Sequence, residues 1–145
     1  ANADLTVGLT PPIPTAEKHE LYARYLRQRH GRQMDDSWEA FCDFLYRSPV
    51  DSIEVTYRRR GRLLGVGIVD LDGDAASTVY CYYEPDERGS LGTFNILWTL
   101  DHCRLLGIPW VYLGYTIRDC PRMNYKQRFR PHEVLAPDGC WLPGQ

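Results

Sequence analysis

Three strand-like segments joined by two tight turns constrain this chain more than any other feature. Ile53, Val55 and Tyr57 alternate with polar residues, the period of a strand with one buried face. Arg58-Arg-Arg-Gly61 turns the chain. Leu63 to Val69 is a continuous apolar run that contains Gly65 and Gly67, and Asp70-Leu-Asp-Gly-Asp74 turns the chain again. Ala75 to Tyr83 reads as the next strand, ending in Tyr80-Cys-Tyr-Tyr83. Connections this short leave no room for a crossover, so the strands must form an antiparallel meander.

Helical signals flank the meander. After a short strand signal over 4–9, Pro11, Pro12 and Pro14 break the chain. Thr15 caps a predicted helix over about 16–30, with Leu21, Tyr22, Tyr25 and Leu26 on one face and Gly31 closing it. Asp36-Ser-Trp-Glu39 reads as a capping box. Trp38, Phe41, Cys42 and Leu45 then carry a second amphipathic helix to about Arg47. Beyond the meander, a loop over 84–92 opens a long helix over about 91–106, broadly apolar and expected to be well buried, with Gly107 at its end. Pro109 to Tyr115 reads as a buried strand, 123–129 as a short helix, and Cys140-Trp-Leu-Pro143 as a last edge strand.

The 145 residues amount to about one domain. Net charge is −2, from 17 basic and 19 acidic residues, so this is no bulk-basic nucleic-acid binder. The cations are nevertheless clustered, and all but Lys18 and Lys126 are Arg, the side chain whose planar fork suits phosphate and carboxylate. One cluster is Arg24, Arg27, Arg29 and Arg32. A second, Arg58, Arg59, Arg60 and Arg62, sits at a hairpin tip and reads as a solvated face with local ion pairs. The third is Arg118, Arg122, Lys126, Arg128 and Arg130, opposed only by Asp119. Five cysteines without a C-x-x-C pair support neither a zinc site nor a disulfide framework. Cys42, Cys81 and Cys103 read as small buried hydrophobes, usage that fits a reducing, cytoplasmic compartment. No apolar run is long enough to span a membrane. The first residues lack the basic and apolar regions of a signal peptide.

Strand, two helices, meander, buried helix, strand is the order of the N-acetyltransferase type of acyltransferase fold. That is an α+β arrangement with a mixed, mostly antiparallel sheet flanked by helices. Its fifth strand runs parallel to the fourth, the two splay apart, and an acyl donor enters between them. Acetyl-CoA enzymes of this fold carry a loop of the form [RQ]-x-x-G-x-[GA] after the fourth strand. Here, counted from Arg88, Leu91 stands at the glycine position and Thr93 at the last. The loop still bears glycine and still opens a helix, so it retains the makings of an anion cradle, but it departs from the CoA pattern.

More specific segments surround it. Tyr82-Tyr-Glu-Pro-Asp86, Ser90-Leu-Gly92, Tyr112-Leu-Gly-Tyr115, Cys120-Pro-Arg-Met-Asn-Tyr-Lys126 and Phe129-Arg-Pro131 occur in order. Together they resemble the C-terminal domain of the aminoacyl-tRNA–protein transferases, the arginyltransferases and bacterial leucyltransferases. The resemblance runs from Leu21-Tyr22 through Arg29-His30 and Phe41–Pro49 to Trp141-Leu-Pro143. It implies transfer of Arg or Leu from charged tRNA to the amine of proteins that start with Asp or Glu, in the N-degron pathway. Cys-Pro-Arg-Met is nearer the arginyl branch and Phe-Arg-Pro nearer the bacterial one, so the donor amino acid stays open. Family members also carry an N-terminal cysteine-rich domain linked to an iron–sulfur cluster. This chain would be the transferase domain alone, over 1–145, with no cofactor or metal of its own.

The implied partners are aminoacyl-tRNA and acidic-N-terminus proteins, with neither membrane nor DNA. The implied catalytic residues are Tyr83, Tyr115 and Lys126. Ser90, Leu91 and Gly92 supply backbone donors at a helix start, and Arg122, Tyr125, Arg128 and Arg130 bind tRNA or the aminoacyl group. If 123–129 is helical, Lys126 and Arg130 share a face with Arg122 one turn back, and Tyr125 and Phe129 anchor the segment. Tyr82 and Tyr83, adjacent at a strand end, must face opposite sides. Tyr115, at a neighbouring strand end, is placed to stack a base. His30 and His132 are secondary candidates as proton carriers. Two alternatives remain at this level: a CoA-dependent acyltransferase of the same fold, and a non-catalytic tRNA- or protein-binding remnant.

Overall fold

The computed structural model describes residues 2–31, 34–87, 89–117 and 120–144, without the side chains of His30, Pro121 and Arg122. The chain forms two compact units, Ala1–Tyr112 and Leu113–Gln145. Expectations resting on Arg32, Arg88, Arg118 and Asp119 lie outside the described residues.

In the first unit, strands β1 (Thr6–Thr10), β2 (Ser52–Arg59), β3 (Arg62–Asp72), β4 (Ala75–Tyr83) and β5 (Trp110–Tyr112) lie side by side in chain order. The first four are antiparallel, and β5 joins β4 in parallel. The meander is the predicted one. Its first turn puts Arg60 at φ 51° and Gly61 at φ 81°, the two positive angles a two-residue type I′ hairpin demands. The apolar run of β3 is explained by cover on both faces. Helices α1 (Ala16–His30) and α2 (Trp38–Leu45) bury Leu63, Val66 and Ile68 on one side. On the other side helix α3 (Leu91–Leu106) closes over Leu64 and Val69.

Caps hold the helices much as the sequence predicts. Thr15 accepts from the Lys18 amide and Gly31 follows α1 at φ 64°. At α2 the cap moves by one residue. Ser37 accepts from the Ala40 amide at 3.2 Å, while Asp36 is drawn away by Arg27 (3.1 Å) and by His19 on its carbonyl (2.7 Å). Helix α2 ends at Leu45, two residues early, and Trp38 is left exposed.

Two expectations about the second half of this unit are corrected. Helix α3 buries Leu91, Asn95, Thr99 and Cys103, spaced four apart on one face, with Ile96 beside them. Leu97, Leu105 and Leu106 stay exposed. Strand β5 is three residues long and largely exposed, not a buried strand to Tyr115. Gly114 takes φ 80°, outside the extended region, so the strand cannot continue through it.

The second unit holds helix α4 (Pro121–Asn124), a 3₁₀ turn (Tyr125–Arg128), and a two-stranded sheet of β6 (Glu133–Leu135) with β7 (Trp141–Pro143). The predicted last strand is present, but its partner is β6, which the periodicity did not suggest. No helix of the described residues is long and apolar enough to cross a membrane.

Candidate active site

Strand β4 leaves most of its outer edge unpaired by any described strand. Strand β5 meets only its beginning, Ala75, Ala76 and Ser77. The last side-chain link is Thr78 Oγ1 donating to the Tyr112 carbonyl at 3.2 Å. One residue later the register of β3 and β4 slips, so that Ile68 faces Tyr80 while Val69 faces Thr78. Val79 is therefore the extra residue of a bulge, which bends a strand and re-aims the side chains beyond it. No described strand pairs with the outer edge of β4 from there to Tyr83.

Tyr82 and Tyr83 face opposite sides, as predicted. Tyr82 is fully buried among Tyr22, Phe41 and Tyr46. Its hydroxyl lies 3.2 Å from that of Tyr46, which donates to Glu54 at 2.9 Å. Burial raises the phenol pKa of both tyrosines, so neither is a proton acceptor near neutrality. Tyr83 is half-buried at the site's edge. Its hydroxyl accepts from Arg29 Nη2 at 2.8 Å, and its ring lies 5.1 Å from that of Tyr25. A side chain at Gly92 would begin 3.3 Å from the Tyr83 ring, so Gly92 lets the start of α3 approach it.

The start of α3 carries no side-chain cap. Ser90 stands at its N-cap in the left-handed region, φ 49° and ψ 62°, and makes no side-chain cap. Its hydroxyl turns to Thr93 Oγ1 at 2.9 Å. The first-turn N–H groups thus keep their outward capacity, with the positive end of the helix dipole behind them. Leu91 is buried, its side chain sunk among Val55, Tyr57 and Leu64. Beside this turn lies an open hollow of about 500 Å³ lined by Asn2, Ala3, Gly89, Ser90, Thr93, Phe94 and Leu97. Asn2 Nδ2 donates to the Gly89 carbonyl at 2.9 Å, and its buried Oδ1 has no hydrogen-bond partner among the described residues.

Clustered arginines hold the loop before α3. Glu84 is bound by Arg24 at 3.2 Å and by Arg62 at 3.1 Å. Gln28 donates to Asp86 at 3.1 Å, and Arg59 pairs with Glu87 and Asp4. Arg58 pairs with Glu17 at 2.5 Å. The hairpin-tip cluster is thus the ion-paired face that was expected. The loop-holding role of Arg24, Gln28 and Arg29 was missed, since their partners lie more than fifty residues away.

The remaining predicted residues belong to the second unit. Tyr115 does not end a strand. It lies beyond β5 and is 87% exposed. Lys126 Nζ donates to the Tyr115 carbonyl at 2.9 Å, and burial lowers the lysine's pKa. Gln127 Nε2 donates to Thr116 Oγ1 at 3.2 Å. The shared face of Lys126 and Arg130 is not formed. The segment tightens to a 3₁₀ turn that ends at Arg128, and Phe129 is extended at φ −82° and ψ 118°. Such a turn aligns residues three apart, and Pro131 disfavours the helical region for Arg130. For the same reason Tyr125 and Phe129, both half-buried, do not lie on one helical face. Arg128 and Arg130 are exposed, and the side chain of Arg122 lies outside the described set, as does that of His30. His132 Nδ1 lies 3.1 Å from the Phe129 carbonyl and its ring fills the space a Gly144 side chain would need, a packing role.

Cys103 is buried, Cys42, Cys81 and Cys120 are half-buried, and Cys140 is exposed. Burial pushes the Cys81 thiol up to about 12. Among the described residues no three His, Cys, Asp or Glu side chains are placed together to hold a metal ion.

Comparison with known proteins agrees with this geometry. Residues 17–136 match the family described as arginine-tRNA-protein transferase, C terminus. An aspartate/glutamate leucyltransferase of Pseudomonas fluorescens is 45% identical over 138 residues, 93% of this chain and 59% of that protein. One from Alcanivorax borkumensis is 40% identical over 144 residues, 97% of this chain and 59% of that protein. The chain therefore spans about three fifths of the curated relatives it matches. Among solved structures, the ribosomal-protein-S18-alanine N-acetyltransferase of Escherichia coli superposes with a TM-score of 0.61 at 15% identity, covering 96% of this chain and 94% of that one. The PaiA N-acetyltransferase of Thermoplasma acidophilum, in complex with coenzyme A, also gives 0.61, at 10% identity, covering 95% of this chain and 97% of that one. These likenesses are of fold, and the fold is the N-acetyltransferase type.

Proposed function

Because this chain belongs to the arginine-tRNA-protein transferase C-terminal family, we propose that it carries the transferase chemistry of an aminoacyl-tRNA–protein transferase. The donor is an aminoacyl-tRNA, and the acceptor is the α-amine of a protein that begins with Asp or Glu. Leucine is the donor residue favoured here, since relatives at 40–45% identity are named aspartate/glutamate leucyltransferases. The observation that carries the reading is the open edge of β4 leading to the uncapped first turn of α3.

The reaction is aminolysis of an ester. The acceptor nitrogen attacks the aminoacyl carbonyl, the C–N bond forms, and the bond to the ribose oxygen breaks. The amine proton leaves and the ribose hydroxyl is reprotonated. A free α-amine has a pKa of about 7.7–8.0, so a usable fraction is already neutral and no strong base is needed. Alignment of amine and carbonyl supplies the main acceleration, worth up to ~7–11 kcal/mol. The uncapped first turn of α3 faces negative charge on the donor, where its dipoles are preorganised. Tyr83, fixed by Arg29 and by the approach of Gly92, forms the end of the cleft beside that turn. Arg128 and Arg130 serve the RNA phosphates.

The test is transfer from purified Leu-tRNA and Arg-tRNA to peptides starting with Asp, Glu, Asn and Ala. Leucine transfer confined to Asp and Glu peptides is expected. Equal rates on all four peptides, or turnover with acetyl-CoA instead, would overturn the reading.

A further inference from the structure

We propose that Tyr115 is a stacking platform for an unpaired nucleobase at the 3′ end of the RNA donor. The inference rests on the function proposed above and adds the residue that grips the single strand.

A large, partly apolar ring is held almost wholly in water, 87% exposed. The backbone under it is fixed. Lys126 binds the Tyr115 carbonyl and Gln127 binds the next side chain, Thr116, so one 3₁₀ turn straps two successive residues. On the other side Gly114 takes φ 80°, and a side chain there would begin 3.4 Å from Lys126 Nζ. The ring is thus presented, not left over from a mobile tail. The strap also fixes the role of Lys126. One of its three ammonium donors goes to that carbonyl, which makes it a positioning residue for Tyr115.

The occupant is set by the charge of the same unit. Residues 120–132 carry Arg122, Lys126, Arg128 and Arg130 and not one acid. Exposed aromatic rings among cations are the equipment of single-strand nucleic-acid sites, where every base offers a π-face and the cations follow the phosphates. An acidic peptide would satisfy the cations, but its small amide planes offer the ring less stacking area than a base.

The test uses the full chain and a labelled, uncharged RNA minihelix ending in an unpaired 3′ CCA, with binding read by fluorescence anisotropy. Tyr115→Ala should weaken binding by roughly ten- to a hundredfold. Tyr115→Phe and Tyr115→Trp should stay within about threefold, because stacking needs the ring and not the hydroxyl. The salt dependence should be unchanged in Tyr115→Ala, because no phosphate contact is lost. Lys126→Met should weaken binding as well, by loosening the strap. A blunt-ended duplex should bind wild type and Tyr115→Ala alike. Unaltered affinity in Tyr115→Ala, or an equal loss on the blunt duplex, would overturn the proposal. So would a fall in peptide turnover with RNA binding intact, since the ring would then serve the acceptor. The assay needs no transfer, so a chain that grips the 3′ end through Tyr115 yet transfers nothing would keep this inference and lose the function.

Discussion

Asn95 on α3 occupies the space that a side chain at Gly67 on β3 would need: a Cβ built on Gly67 falls 2.0 Å from Asn95 Oδ1. The same oxygen accepts from the buried hydroxyl of Tyr57 at 2.8 Å. Gly67→Ala therefore forces Asn95 aside and leaves that hydroxyl without its acceptor. We expect a loss on the order of 2–4 kcal/mol, combining overpacking with an unmet buried donor. Urea titration checks it, and Asn95→Ala in the Gly67→Ala background should recover most of the steric part, as a double-mutant cycle would show.

Lys18 and Glu54 form an ion pair inside the core, 2.5 Å apart, and the glutamate is fully buried. Lys18 also donates to the Ile13 carbonyl at 2.6 Å, and Tyr46 donates to Glu54. Lys18→Met leaves a buried carboxylate without its cation and should cost about 3–5 kcal/mol. The double variant Lys18→Met/Glu54→Leu should regain much of that, because the desolvated charge is gone. A thermal melt in which the double variant is less stable than Lys18→Met would contradict this account.

Acid should loosen the ties around the hairpin tip. The hydrogen bond from Arg58 holds Glu17 below its usual 4.5, and that from Arg59 holds Asp4 below 3.8. A depressed folded-state pKa contributes stability above the unfolded value and loses it as pH falls through the folded one. The contribution is thus present at pH 7 and decays from about pH 4.5 downward. Both carboxylates are largely exposed, so the effect is modest and screened by salt. Melts from about pH 6 to about pH 3, a span that brackets ordinary carboxylate titration, should show a shallower acid decline in Arg58→Met/Arg59→Met than in wild type. Parallel curves would remove these pairs from the explanation.

The sheet was legible because turns and apolar alternation are local. Arg60-Gly61 and Gly73-Asp74 announce themselves within a few residues, and α1 and α3 appear at nearly their predicted bounds. What failed depends on distance or on proline and glycine geometry. The buried stripe of α3 includes Asn95 and Thr99, whose polarity hid it from a hydrophobic count. The Tyr57 hydroxyl and the bare backbone of Gly67, which Asn95 meets, lie on other elements. Gly114 cut β5 short, and Pro131 kept Arg130 out of the helix that would have aligned it with Lys126. Of the candidate site, the opposed faces of Tyr82 and Tyr83 and the Ser90–Gly92 turn came from period and position. The anchoring of the loop by Arg24 and Arg29 did not, since partners more than fifty residues apart leave no local signature.

Arg128 provides a test of the phosphate contacts that is separate from stacking. It is exposed at the end of the 3₁₀ turn, in a stretch of the described residues without acids. A side chain that neutralises one phosphate releases about one counterion, so log affinity falls with log salt by ~0.7–0.9 per contact. Arg128→Ala should therefore weaken tRNA binding at low salt and reduce the slope by roughly that amount. Tyr115→Ala should lower affinity at every salt concentration with the slope intact. Binding isotherms at several salt concentrations separate the two. If Arg128→Ala leaves the slope unchanged, this arginine meets no phosphate, and the electrostatic half of RNA recognition must come from residues other than Arg128.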